Sequence, residues 1–63
     1  MYIVTRLTSA FARPIMGTFD TPEEALAFLE GIGVLFIEQD EVHPGCYDGL
    51  GKDGSIYSIE PRR

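Results

Sequence analysis

The chain has 63 residues, a single cysteine and a formal charge of −5. That length holds one domain and is too short for most self-contained enzyme folds. Ten acids against five bases disfavour a nucleic-acid binder, and one cysteine excludes an internal disulfide framework. An apolar fraction of 44%, with three tyrosines and four phenylalanines, is too high for a disordered chain.

Residues 2–8 are rich in Ile, Val, Thr and Tyr and predict a first strand, with Ile3, Thr5 and Leu7 on one face. Residues 9–13 read as a loop. Residues 14–19 predict a weaker strand, opened by Pro14 and interrupted at Gly17.

A helix is expected over about residues 22–30. Thr21 is placed to cap it, Pro22 suits the first helical position, and Glu24 completes a capping box. Glu23 and Glu24 favour the positive end of the helix dipole. Ala25, Leu26, Phe28, Leu29 and Ile32 have the spacing of a buried stripe, and Gly31 and Gly33 end the helix.

Residues 34–42 predict a long strand. Its opening run Val34-Leu35-Phe36-Ile37 is apolar on both faces, and it turns polar from Glu38. His43-Pro44-Gly45 is a turn signal, residues 46–50 suit a short strand, and Lys52-Asp53-Gly54 is a hairpin turn. Residues 55–60 close the fold as a strand, with residues 61–63 a frayed tail.

The expected fold is α+β: a small, mostly antiparallel sheet of four to five strands in the order β-β-α-β-(β)-β, with one helix packed on a face. Simple alternation puts Phe36 and Ile56 on one face and Leu35, Ile37, Tyr57 and Ile59 on the other. One helix cannot cover two apolar faces, and an uncovered apolar patch marks an interaction site. A domain this short also buries only about 60% of its unfolded surface, which favours a second copy or another partner.

Charge is unevenly spread. Residues 20–48 hold eight acids and no Lys or Arg, whereas residues 1–19 hold Arg6 and Arg13 and no acid. Helix capping accounts for Glu23 and Glu24. Glu38, Asp40 and Glu41 have no such explanation and border the strand that carries Leu35 and Ile37.

Only residues 40–48 offer candidate chemistry. His43 and Cys46 flank a Pro-Gly turn, with Asp48 close behind, and are candidate metal ligands. A structural zinc site needs four ligands, usually thiolate and imidazole, and the chain has one of each. Attack by Cys46 with His43 as base has no obvious third group. The glycines and lysine of residues 49–54 lack phosphate-loop spacing and precede no helix.

The expected role is a non-enzymatic protein-interaction or accessory module without a cofactor. Its interaction surface is expected at Leu35, Ile37, Tyr57, Ile59, Glu38, Asp40 and Glu41. The partner is another protein or a second copy, not nucleic acid or membrane. The alternatives are a metal- or thiol-dependent site at His43 and Cys46, and an acidic decoy for a nucleic-acid-binding protein. A lone thiol and the absence of an apolar run of about 18 residues lead to an expected cytoplasmic location.

Overall fold

A computed structural model describes residues 1–7 and 12–62. The elements are β1 (Tyr2–Leu7), β2 (Ile15–Phe19), α1 (Pro22–Gly31), β3 (Val34–Gln39), β4 (Tyr47–Gly51) and β5 (Ile56–Pro61). The five strands form one sheet in the order β2-β1-β5-β4-β3, and every neighbouring pair is antiparallel. The protein is therefore a small α+β domain with one helix packed on the sheet. The expected end of the first strand at Thr8, most of the loop over residues 9–13, and Arg63 lie outside the described residues.

The start of α1 follows local chemistry. Thr21 is extended (φ −127°, ψ 154°), and its Oγ1 accepts the Glu24 N–H at 3.2 Å. The same hydroxyl donates to Glu24 Oε1 at 3.2 Å, which ties the cap to the first turn. At the other end Gly33 adopts φ +93°, a backbone conformation that a side chain disfavours, and its N–H donates to the Glu30 carbonyl. Ile32 is the C-cap and is exposed, so the buried stripe stops at Leu29. The stripe was expected one turn further, but the helix ends before Ile32 can turn inward.

The helix links opposite edges of the sheet. β2 and β3 run in the same direction with β1, β5 and β4 between them, so α1 crosses the whole sheet. Ala25 and Leu29 pack with Val4, Val34, Tyr57 and Ile59 to form the core. Full burial of side chains such as Leu29, Ile59 and Val4 stabilises the fold by about 1.5–3 kcal/mol each. Phe19 and Phe28 meet with ring centroids 5.3 Å apart and bind β2 to α1.

Two irregularities set which side chains face the helix. In β3, Val34 pairs with Gly51 and Phe36 with Leu50, so Leu35 is an extra residue at a bulge. Val34 and Ile37 then both face α1, while Phe36 is turned away. In β2, the register shifts opposite Val4 and Thr5, which leaves Met16 as the extra residue. β3 stops at Gln39 rather than at Val42, because Asp40 folds residues 40–46 into a turn.

The chain end is better held than expected. Pro61 belongs to β5, and the Arg62 N–H donates to the Met1 carbonyl at 2.7 Å. No helix among the described residues is long and apolar enough to cross a membrane.

Candidate functional site

The face of the sheet away from α1 is organised in rows. One row runs Leu7, Ile56, Leu50, Phe36 across β1, β5, β4 and β3. The next runs Thr5, Ser58, Asp48, Glu38 across the same strands. Beyond that, Ile3 pairs with Glu60. The rows arise because alternate residues of a strand point to one face.

The β1 side of this face is closed. Ile3 is buried, Leu7 is half-buried, and the hydroxyls of Thr5 and Ser58 are 3.1 Å apart, within hydrogen-bond distance. The β3–β4–β5 side is open: Phe36 is 67% exposed, Ile56 47% and Leu50 44%. These three side chains, with Glu38 and Asp48, line a shallow groove of about 540 Å³.

The acids are set against this apolar row. Glu38 on β3 stands directly across from Asp48 on β4. Like charges in that position repel. Among the described residues no cation lies within ion-pair distance of either carboxylate. Glu60 pairs with Arg62 at 3.4 Å, and Arg6 is occupied at the end of the sheet by Ser55 at 2.8 Å and Asp53 at 3.6 Å.

Residues 40–46 form an ordered turn beside these rows. Asp40 Oδ1 accepts the N–H groups of Val42 at 2.8 Å and His43 at 3.2 Å. Asp40 Oδ2 lies 3.2 Å from His43 Nδ1. The hydrogen bond from the Val42 backbone, followed by that from the His43 side chain, lowers the Asp40 pKa. The Asp40 N–H donates to the Cys46 carbonyl, and the Cys46 N–H to the His43 carbonyl, closing the turn.

His43, Cys46 and Asp48 border a common shallow depression with Asp40, Ser58, Glu60 and the cation Arg13. Among the described residues, however, no three His, Cys, Asp or Glu side chains are grouped so as to hold a metal ion. The Cys46 thiol is pushed up in pKa by desolvation and then by the charges of Asp40, Glu60 and Asp48. This environment favours the thiol over the thiolate, which is the reactive species. His43 is exposed and directed to Asp40, where it supports a turn.

The expected interaction surface needs correction. Tyr57 and Ile59 are 8% and 1% exposed and belong to the core under α1. Ile37 is half-buried and packs against that core. Leu35 is exposed, but as the bulged residue it does not share a face with Ile37 through simple alternation. Glu38 borders the open row, Asp40 supports the turn, and Glu41 is exposed within it.

Phe36, Leu50 and Ile56 take the place of Tyr57 and Ile59 as the exposed apolar set. A signal for this lay in the pairing of residue types. Ile56 alternates with Ser58 and Glu60, and Leu50 with Asp48, which makes theirs the more polar face. On β4 the opposite face carries Gly49, which is small enough to let Leu29 of the helix approach. No protein-family model, curated protein or solved structure matches the chain.

Proposed function

We propose that the protein is a non-enzymatic protein-interaction module of the cytoplasm that works through the uncovered side of its sheet. The observation that carries this reading is the row Phe36, Leu50, Ile56, exposed on the face opposite the helix. Three neighbouring large apolar side chains held on a sheet, rather than on a loose segment, form a surface that gains free energy when water is excluded from it. The row is presented by paired strands, so little further ordering is needed on binding.

The cytoplasmic assignment rests on the lone cysteine, whose thiol is kept protonated by its surroundings and has no disulfide partner in the chain.

A photo-crosslinking amino acid placed at Leu50 tests the reading in the cell of origin. Ala27, exposed on the helix, serves as the control position. The expected result is a discrete protein adduct, with a second copy or with another chain, from Leu50 and none from Ala27. Absence of a discrete adduct at both Leu50 and Phe36 overturns the reading.

A further inference from the structure

We infer that the occupant of the open sheet face is a cationic amphipathic segment of another protein, its apolar side chains on Phe36, Leu50 and Ile56 and its Lys or Arg side chains on Glu38 and Asp48. This rests on the interaction reading above and names the chemistry of the partner.

The arrangement of rows carries the inference. The apolar row and the carboxylate row are two residues apart along each strand, about 7 Å. That is within reach of the alternating apolar and basic side chains of one amphipathic segment. Glu38 and Asp48 face each other across β3 and β4, and among the described residues no cation is within ion-pair distance of either. Such a pair works against the fold when the face is empty. A local rule broken without internal compensation is expected where a surface serves function. A Lys or Arg between the two carboxylates removes their repulsion and is partly desolvated by the neighbouring Phe36 and Leu50.

A second copy fits this surface less well. Face-to-face pairing brings the Glu38 and Asp48 carboxylates of both copies into one apolar interface, in a chain whose formal charge is already −5. Among the described residues Arg6 is held by Ser55 and Asp53 and Arg62 by Glu60, and Arg13, which borders the same depression as Asp48, makes no ion pair with it.

The test uses two short fluorescein-labelled helix-forming peptides, one of leucine and lysine and one of leucine and glutamate. Binding to the intact protein is read by fluorescence anisotropy at low and high salt. The variants are Phe36→Ser and the pair Glu38→Lys with Asp48→Lys, each checked for folding by circular dichroism. A second pair, Asp20→Lys with Glu30→Lys, changes net charge equally but lies away from the row. Sedimentation of the wild-type protein and Phe36→Ser is measured over the same concentrations.

Saturable binding of the lysine peptide alone is expected. It should weaken about tenfold or more in Phe36→Ser and in the Glu38/Asp48 pair, be largely retained in the Asp20/Glu30 pair, and decline with salt. No binding, equal binding of the glutamate peptide, or equal loss in both charge-reversed pairs overturns the inference. So does a wild-type dimer that Phe36→Ser dissolves, because a second copy then occupies the face. In each of these cases an adduct from crosslinking at Leu50 still upholds the interaction reading, so the two can fail separately.

Discussion

Glu38 and Asp48 form a directly opposed carboxylate pair on the open face of β3 and β4. Like charges directly opposed on paired strands are expected to work against the fold of the free protein. Glu38→Lys converts the pair to opposite charges and is expected to stabilise the fold by about 0.2–1 kcal/mol. A urea midpoint that falls, with an unchanged slope, would show that the pair does not repel. The same substitution should weaken the lysine peptide, so stability and binding are expected to move in opposite directions.

The face covered by α1 and the open face should respond very differently to truncation. Leu29 is fully buried, and Leu29→Ala is expected to cost about 2–5 kcal/mol. Phe36, although larger, is mostly exposed, so Phe36→Ala is expected to stay within about 0.5 kcal/mol of the parent. Comparable losses in denaturant unfolding would mean that the Phe36 side is covered.

Gly49 marks the closest approach of β4 to the core. A Cβ at this position would lie 3.0 Å from Val34 Cγ1 and 3.6 Å from Leu29 Cδ1. Gly49→Ala is therefore expected to destabilise by about 1–3 kcal/mol through overpacking. Combining it with Val34→Ala removes the clashing methyl, so the two effects should couple by at least about 0.5 kcal/mol. Simple additivity in that double-mutant cycle would rule out the steric explanation.

Acid should loosen the turn over residues 40–46 in a defined direction. The Asp40 pKa is lowered in the folded protein from its ordinary value of 3.8, chiefly by the Val42 and His43 hydrogen bonds. A lowered folded pKa gives stability that is complete above the unfolded value and lost as pH falls through the folded one. The amide signals of Val42 and His43 should accordingly shift below about pH 4, in the usual carboxylate range. Asp40→Ala should remove that shift and speed exchange of both amides. Unchanged amide exchange in the variant would dissociate the turn from Asp40.

Cys46 should react sluggishly. Desolvation, followed by the charges of Asp40, Glu60 and Asp48, holds its thiol in the protonated form. Alkylation at neutral pH is expected to be slower than for a cysteine in an unstructured peptide, and Asp48→Asn should quicken it. A faster reaction than the peptide's would reveal an activated thiol and revive thiol chemistry at this position.

Much of the architecture was legible in local chemistry. Thr21, Pro22 and Glu24 mark the start of α1 because a cap is satisfied by atoms three residues apart. Asp53 and Gly54 mark the β4–β5 hairpin because a tight turn is closed within a few residues, here by the Gly51 N–H on the Ser55 carbonyl. His43 and Cys46 were visible as reactive types. Their surroundings were not: Asp40 lies beside the imidazole, and desolvation followed by three carboxylates raises the thiol pKa.

What the residues could not settle alone was which apolar face the helix would cover. Tyr57 and Ile59 looked like a surface for a partner and became core, while Phe36, Leu50 and Ile56 were left in solvent. That outcome depends on Leu35, whose bulge lets Val34 and Ile37 share the helix side. It also depends on α1 crossing from one edge strand to the other, with Leu29 packed over Gly49. Caps and turns are decided by atoms a few residues apart. Face selection is decided by strand pairings between distant segments, where one extra residue reverses what a strand presents.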